Sequence, residues 1–268
     1  MRLVVVTPTL GLSPYLSAAV ESVSRTTLSV EHILVAPPAA SDKLRTQYPR
    51  CTIVAEAKPD GMYAAIDAGL RAAKPWDWFT YLNDDDLLHD GFGRVAREHM
   101  HAGDSMAIAY GNVNWIDARG ESLGLMPLEK KPSHIGYVMK LGLGPLTQQG
   151  ALVGRSLYAT LGGFDTQYRL AADFDFWVRA FAAGATFHYY DELVASWRIH
   201  AEQASSNRAA AHREAQRISA TVPVPASAQR LLWEFLRFRL LNGARYANRR
   251  WRTGTWRSEA LFVGAAKG

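Results

Sequence analysis

The stretch Tyr81-Leu82-Asn83-Asp84-Asp85-Asp86 decides the fold of this 268-residue chain. It closes an apolar run, residues 76–82, that is typical of a buried strand, and it ends in three adjacent carboxylates. Because adjacent carboxylates repel one another, the group favours a nearby divalent cation such as Mg²⁺ or Mn²⁺, which takes oxygen ligands and bridges to phosphates. In open α/β sheets such ligands bind beyond the carboxyl ends of the strands. The alternative is a solvated acidic turn that caps the next helix.

Strands and helices alternate along the chain on both sides of this stretch. Apolar and β-branched runs predict strands, at residues 3–6, 31–36, 51–54, 78–82, 107–112, 150–154 and 186–190. Helical spacing of apolar residues predicts helices, at residues 15–26, 41–48, 62–73, 91–101, 135–141, 156–161 and 173–183. Residues 119–147 are otherwise expected to be mostly loop. Alternation of this kind predicts an α/β fold with a Rossmann-like, mainly parallel central sheet flanked by helices.

Composition limits the class of protein. Hydrophobic residues make up 48% of the chain, enough for a sizeable core, and the length suits one large domain or a domain with an appendage. The single cysteine, Cys51, excludes an internal disulfide framework and is typical of a reducing compartment. Because the sequence has no signal-peptide pattern after Met1 and no run of about 18 apolar residues, we expect a cytoplasmic protein that does not span a membrane.

Two further motifs carry possible chemistry. Asp60-Gly61-Met62 forms a turn that opens a helix, and helix N-termini offer free N–H groups to anions. The alternative there is an ordinary turn before an amphipathic helix. Asp173 and Asp175 stand at the start of a later helix, where a carboxylate in a partly apolar setting can act as a general base. Simple capping of the helix dipole explains the same two residues equally well.

Taken in order, these motifs resemble those of the family-2 glycosyltransferases, which have the GT-A fold. The resemblance covers residues 2–206. The stretches that carry it are Val5-Val6-Thr7-Pro8-Thr9, residues 60–70, Tyr81 to Asp86, Gln148-Gln149-Gly150, Leu161 to Asp165, Ala172 to Arg179, and Trp197-Arg198-Ile199-His200 with Gln203 and Ser205. The resemblance implies a GT-A catalytic domain over residues 1–205 and a helical, basic C-terminal extension over residues 206–268.

The resemblance also implies a reaction and a set of roles. The chain would be an inverting transferase that moves a sugar from a nucleoside-diphosphate sugar to a hydroxyl of a glycan or lipid-linked acceptor in bacterial surface polysaccharide assembly. Asp86, Asp84 and His200 would hold Mn²⁺ or Mg²⁺, and a surface or core histidine is the alternative for His200. Asp173 would take the proton of the acceptor hydroxyl. The donor-binding residues would be Pro8, Thr9, Asp60, Gly61, Met62, Asp67, Asn83, Asp84 and Asp85. The residues near the acceptor or supporting the site would be Gln149, Asp175 and Trp177.

One departure from the family pattern concerns the nucleotide base. The family has an aspartate that contacts the base after its second strand, and Ala36 stands there in this chain. Uracil is therefore only a default, and a non-catalytic relative that binds a nucleotide, a membrane or a partner is the alternative function. A nucleotidyltransferase is another. A dehydrogenase needs Gly-x-Gly-x-x-Gly after the first strand, which Thr7-Pro8-Thr9-Leu10-Gly11 does not supply.

The C-terminal extension concentrates the positive charge of the chain, whose formal net charge is +5. Helices are predicted over 206–219 and, after the break at 222–225, over 228–251 as one amphipathic basic helix. Arginines interleaved with Trp, Phe and Leu suit the interface of an anionic membrane, which predicts peripheral binding at the inner face of the plasma membrane. The alternative is a helix packed on the domain with its arginines outward. We expect no nucleic-acid partner, because no nucleic-acid motif accompanies the charge.

Overall fold

The computed structural model describes residues 1–26, 28–56, 60–200, 208–225, 227–256 and 261. In this part of the chain nine strands form one mixed sheet, in the order β3-β2-β1-β4-β8-β6-β9-β5, with β7 paired to β6. The strands are β1 (Leu3–Pro8), β2 (Val30–Ala36), β3 (Thr52–Ala55), β4 (Trp78–Tyr81), β5 (Leu87–Leu88), β6 (Ala107–Ile116), β7 (Ser122–Leu125), β8 (Leu152–Gly154) and β9 (Thr186–Arg198).

Helices cover the sheet and follow its second half. They are α1 (Leu16–Arg25), α2 (Pro38–Gln47), α3 (Met62–Ala72), α4 (Asp90–His101), α5 (Ile135–Lys140), α6 (Arg155–Leu161), α7 (Ala172–Ala182), α8 (Arg208–Ala220), α9 (Ala228–Leu241) and α10 (Gly243–Thr253). No helix in the described residues combines the length and the apolar character that a membrane span requires.

The first half of the sheet is parallel and covered on both faces. β1 pairs in parallel with β2 and β4, and β2 with β3. Side chains alternate along a strand, so Leu3 and Val5 pack in the core with α1 and α4, whereas Val4 and Val6 pack in the core with α3, α6 and α7. Burial on both faces explains why the run Leu3 to Val6 is apolar throughout. The predicted α/β class is confirmed.

Helix α3 lies unusually close to the sheet, which fixes where its N-terminus points. A Cβ atom at Gly69 would lie 2.7 Å from Val6 Cγ1 and 2.9 Å from Val35 Cγ2, so only glycine allows this approach. At the start of the helix, Gly61 has φ +95°, a conformation that favours glycine. Because the helix of a parallel crossover begins at the carboxyl edge of the sheet, residues 60–62 lie at that edge.

The structure differs from the predicted elements at several places, and the short strand β5 was not predicted at all. Residues 122–125, expected to be loop, form β7 by antiparallel pairing with β6. Strand β9 continues to Arg198, eight residues beyond its predicted end, because β6 pairs with it along most of its length. The single helix predicted over 228–251 is wrong: α9 ends before Asn242, whose side chain bonds to the backbone of Leu128, and α10 begins at Gly243.

Cys51 precedes β3 and is half-buried, with its Sγ 3.6 Å from Nδ1 of His32. Burial lowers the pKa of His32 to about 4, so this imidazole is neutral at pH 7. Burial also raises the pKa of the Cys51 thiol to about 11. The thiol is therefore protonated and weakly nucleophilic.

Candidate active site

The acidic stretch lies at the carboxyl edge of the sheet, where the neighbouring strands β1 and β4 both end. Thr9 Oγ1 donates to Asp84 Oδ2 at 2.5 Å, and Ser13 Oγ donates to the Asp84 carbonyl oxygen at 3.2 Å. The structure thus brings Thr9, which with Pro8 is a donor-binding residue implied by the resemblance, next to Asp84. Burial raises the pKa of Asp84 to about 6, although the Thr9 hydrogen bond opposes the shift.

Asp85 faces the end of β9. Its Oδ2 lies 2.9 Å from His200 Nε2, and both side chains are 16% exposed, so the pair is accessible to a ligand. Arg198 holds this arrangement: its Nε donates to the Asp85 carbonyl oxygen at 2.9 Å, and its guanidinium lies over the ring of Tyr15. That ring also lies 5.3 Å from the ring of His200. Arg198 and Tyr15 were not among the predicted site residues.

Asp86 turns the other way, into the core. It is fully buried, its Oδ1 accepts from the Arg198 backbone N–H at 2.9 Å, and its Oδ2 accepts from Gln149 Nε2 at 2.9 Å. Burial raises the pKa of Asp86 well above its ordinary value, and these two hydrogen bonds oppose the shift. Asp86 is therefore less accessible to a metal ion in this structure than Asp85 is, and its predicted role as a metal ligand stays a prediction. Asp86 joins the loop after β4 to the end of β9 and to Gln149.

The site fits a cation that protein and substrate hold together. Among the described residues, no group of three or more His, Cys, Asp or Glu side chains is arranged to hold a metal ion alone. The Asp85–His200 pair offers one carboxylate and one imidazole. Mg²⁺ is commonly bound through one or two carboxylates together with substrate phosphates, and Mn²⁺ also accepts imidazole nitrogen. The residues present therefore suit Mn²⁺ or Mg²⁺, with Asp85 as the more accessible carboxylate.

Asp173 stands at the start of α7 and lines a cleft of about 840 Å³. Its Oδ1 accepts from Tyr63 Oη at 3.1 Å and from the Phe174 backbone N–H at 2.8 Å. Burial raises the pKa of Asp173, and these two hydrogen bonds partly oppose the shift. The loop before α7 is held by Glu214 of α8, whose Oε2 accepts from two backbone N–H groups of residues 170–171 at 2.9 Å each. A carboxylate held in this way suits a general base.

One aromatic contact connects the base to the acidic stretch. The ring of Tyr63 lies 6.4 Å from the ring of Tyr81, the last residue of β4 and the first residue of the acidic stretch. Tyr63 is in the motif that opens α3, but sequence reasoning gave it no role. Its place directly after a predicted donor residue, Met62, is visible in the sequence, whereas its burial appears only with the fold.

The cleft around Asp173 is built by both parts of the chain. The part of the chain before α8 contributes Trp115, Phe174, Trp177 and Trp197. The C-terminal helices and the residues after them contribute Phe238, Arg239, Tyr246, Arg249 and Trp256. Trp177, predicted near the acceptor, is thus in the cleft. Trp115 Nε1 is buried without a hydrogen-bond partner among the described residues. Aromatic walls with a few polar groups are typical of ligand sites.

Two predicted residues of the α3 motif have protein partners elsewhere. Asp60 is exposed and forms an ion pair with Arg169, at 2.7 Å between Asp60 Oδ1 and Arg169 Nη2. Asp67 is buried, and its Oδ1 accepts from Tyr158 Oη at 2.6 Å, so it joins α3 to α6. Burial raises the pKa of Asp67.

Asp175 also has a packing role: its Oδ2 accepts from Arg179 Nε at 2.6 Å, and Arg179 in turn donates to carbonyl oxygens of Leu161 and Gly163. This network fixes α7 against the end of α6. Gln203 and Ser205, which belong to the motif that ends the resemblance, lie outside the described residues.

No protein-family model matches the chain. The chain is similar to a "PGL/p-HBAD biosynthesis glycosyltransferase" of Mycobacterium bovis (strain BCG / Pasteur 1173P2), with 24% identity over 202 residues that cover 71% of this chain and 73% of the relative. The protein of the same name from Mycobacterium tuberculosis (strain ATCC 25177 / H37Ra) matches to the same extent.

Solved structures of S. aureus TarS share the fold. TarS 1-349 in complex with UDP-GlcNAc superposes with a TM-score of 0.63 at 14% identity, covering 99% of this chain and 79% of TarS 1-349. The complex with UDP superposes with a TM-score of 0.59 at 12% identity, covering 91% and 72%. The fold is therefore the GT-A fold, and the predicted class is confirmed. The chain is a glycosyltransferase related to the mycobacterial PGL/p-HBAD glycosyltransferases.

Proposed function

We propose that the chain transfers a sugar from a nucleoside-diphosphate sugar to a hydroxyl of a glycan or glycolipid acceptor, in assembly of the bacterial cell surface. The observation that carries this proposal is the arrangement of two functional groups. The accessible Asp85–His200 pair lies at the carboxyl edge of the sheet. Asp173 lies in an aromatic cleft and accepts a hydrogen bond from Tyr63, whose ring contacts Tyr81 of β4. A cation site beside a base is what transfer from a diphosphate donor needs.

The donor side is assigned to the ends of β1, β4 and β9. When bound at Asp85 and His200, Mn²⁺ or Mg²⁺ would act as a Lewis acid that neutralises charge on the departing diphosphate. Thr9 and Ser13 keep Asp84 beside this position, and Arg198 keeps Asp85 turned toward it. UDP is the default nucleotide, which the solved TarS complexes with UDP and UDP-GlcNAc support.

The acceptor side is assigned to the cleft of Asp173. Tyr63 and the Phe174 N–H bind Oδ1, which leaves Oδ2 to accept the proton of the acceptor hydroxyl as that oxygen attacks the anomeric carbon. Direct attack opposite the leaving diphosphate inverts the anomeric configuration. In this proposal residues 1–205 supply the catalytic groups and residues 206–268 complete the acceptor cleft. Tryptophan and tyrosine faces suit sugar rings, which favours a glycan part in the acceptor.

A second candidate function is binding of a nucleotide without turnover. It rests on Ala36, which ends β2 with its side chain buried and offers no side-chain hydrogen-bond acceptor to a base. A site that has lost one donor contact can retain its fold and lose its reaction. Turnover of a donor sugar excludes this candidate.

A thermal-shift series and a transfer assay test the proposal. Wild type is heated with UDP, GDP, dTDP and CDP, each with Mn²⁺ and with EDTA, because a ligand of the folded state raises its stability by mass action. We expect one nucleotide to stabilise the protein only with metal, and we expect Asp85→Asn to abolish this effect. Asp173→Asn should keep the stabilisation and lose turnover by about 10²- to 10⁴-fold. Stabilisation that survives Asp85→Asn unchanged contradicts the assigned cation site, and turnover by Asp173→Asn contradicts the assigned base.

A further inference from the structure

The exposed face of α9 is apolar. Leu232, Leu236 and Leu240 recur every four residues and are 60%, 50% and 79% exposed, and Trp233 beside them is 51% exposed. We call these four residues the outward leucine face. On the opposite side of the helix, Glu234 and Phe238 are buried against the sheet domain. The helix is packed with Arg230 and Arg239 outward, as one alternative from the sequence had it, but it also leaves large apolar side chains in water.

Exposed apolar side chains are concentrated in the C-terminal helices. In the described part of the chain, twelve large hydrophobic side chains are exposed, and eight of them lie between residues 232 and 256. Trp251, at 81%, and Trp256, at 55%, belong to this set. Scattered exposed leucines are normal on a protein surface, but a concentration of this kind marks an interaction surface.

The exposed charges of α9 and α10 themselves have one sign. Glu234 is the single acidic residue among residues 228–256, and it is fully buried, in ion pairs with Arg230 and Arg237 and in a hydrogen bond with His134. The exposed charged groups of α9 and α10 are therefore arginines, at positions 230, 239, 250 and 252. The surface as a whole combines leucine and tryptophan with positive charge and offers no exposed carboxylate.

The helix cannot turn this face into the core. Arg237 is ion-paired with both Glu129 and Glu234, and Asn242 accepts from the Leu128 N–H and donates to the Leu128 carbonyl oxygen at 3.1 Å each. These contacts fix the rotation of α9 about its own axis. The outward leucine face is thus a fixed and solvent-exposed feature of the fold.

We propose that the outward leucine face docks on an anionic lipid bilayer. The leucines and Trp233 would enter the boundary between headgroups and acyl chains, and the exposed arginines would contact lipid phosphates. Charge complementarity favours this occupant over a second copy of the chain, because a symmetric dimer through this face would bring the arginines of both copies together. Phe238 and Arg239 of the same helix line the cleft of Asp173. The bilayer would therefore lie next to the acceptor cleft; this last point alone rests on the proposed function.

Vesicle flotation tests the docking with no donor, metal or acceptor present, so its result does not depend on catalysis. The full chain is floated with phosphatidylcholine vesicles and with vesicles in which about 30% of the lipid is phosphatidylglycerol. We expect binding to the anionic vesicles, weakened by high salt, and at most weak binding to the neutral ones. With brominated acyl chains, tryptophan fluorescence should be quenched, and Trp233→Phe should reduce the quenching.

Two variants and two matched controls separate the apolar and the charged contributions. Leu232→Gln/Leu236→Gln/Leu240→Gln should lower the partition coefficient at least about tenfold, and Arg250→Gln/Arg252→Gln should lower it about thirtyfold at low salt. The controls make the same types of substitution at exposed positions outside α9 and α10. They are Leu12→Gln and Arg25→Gln/Arg45→Gln, and both should bind the vesicles as wild type does. The replaced side chains are exposed, so all variants should unfold at the wild-type temperature.

Three outcomes would overturn the proposal. One is the absence of flotation with anionic vesicles. Another is binding that the leucine variant leaves unchanged while its fold is intact. The third is a wild-type dimer, measured by light scattering, that the leucine variant converts to a monomer while neither binds vesicles; this result would assign the face to a second copy of the chain.

Discussion

Replacing Tyr63 by Phe should move the pH at which the enzyme loses activity. Tyr63 Oη donates to Asp173 Oδ1 at 3.1 Å, and this bond favours the charged carboxylate. Without it, the pKa of Asp173, already raised by burial, rises further. A hydrogen bond to a charged group contributes about 1.5–3 kcal/mol, and 1.36 kcal/mol corresponds to one pKa unit. Because the Phe174 N–H remains bound to Oδ1, we expect a shift near the low end, about one unit.

The sign of the pH effect follows from the role of the base. Asp173 must be deprotonated to accept the acceptor proton, so kcat/KM falls as the pH falls through its pKa. In Tyr63→Phe the acidic limb should lie about one unit higher, with kcat/KM about tenfold lower well below the limb and close to wild type above it. The assay is kcat/KM for sugar transfer from about pH 4.5 to 8.5.

The matched control is Tyr158→Phe, which removes a hydroxyl bond to another aspartate, Asp67, at 2.6 Å. This control variant should lower the free energy of unfolding without moving the acidic limb of the kcat/KM profile. If Tyr63→Phe is equally active at low and high pH relative to wild type, or if both variants shift the limb alike, Asp173 is not the group that titrates.

Three further predictions concern stability and the donor site. Asp86→Asn places an amide donor opposite the Gln149 amide or the Arg198 N–H, which are donors themselves, and should lower the free energy of unfolding by about 2–4 kcal/mol in urea titration. The accessible Asp85 is the control, and Asp85→Asn should change the free energy of unfolding by less than about 1 kcal/mol. Gly69→Ala should cost about 1–3 kcal/mol, because its Cβ would lie 2.7 Å from a β1 side chain, whereas Gly243→Ala, with open space at its Cβ, should cost nothing. Asn242→Ala should lower the melting temperature by removing three hydrogen bonds at the α9–α10 junction; an unchanged value would mean that the junction is not what fixes α9.

The parts of the fold whose sequences have a clear hydrophobic pattern could be predicted from the sequence. The run Leu3 to Val6 and the helix from Met62 have patterns that only one environment satisfies, a two-sided buried strand and an amphipathic helix. The resemblance implied that Thr9 and Asp84 share the donor site, and sheet topology accounts for their contact, because parallel strands end at one edge of a sheet. These positions depend on local pattern and on sheet topology, and both are present in one sequence.

The choice among Asp84, Asp85 and Asp86 could not be predicted in the same way. Three adjacent aspartates are chemically identical, and what turns Asp86 inward is a pair of partners more than sixty residues away, Gln149 and the Arg198 N–H. The direction of α9 is a similar case. Its leucines and arginines fit either orientation on composition alone, and Glu129, which lies 108 residues before Arg237, decides it by pairing with that arginine. Long-range pairing of charged groups leaves no local pattern.

The protected environment of Cys51 makes the chain suitable for site-specific labelling. With a thiol pKa of about 11, Cys51 carries little thiolate at neutral pH, whereas a cysteine on an open surface has a pKa of about 8.5. A cysteine introduced at an exposed position of α9 would hold about 300 times more thiolate and would react first with a maleimide dye. The wild-type background can therefore report on the position of this helix by fluorescence, without first removing the native cysteine.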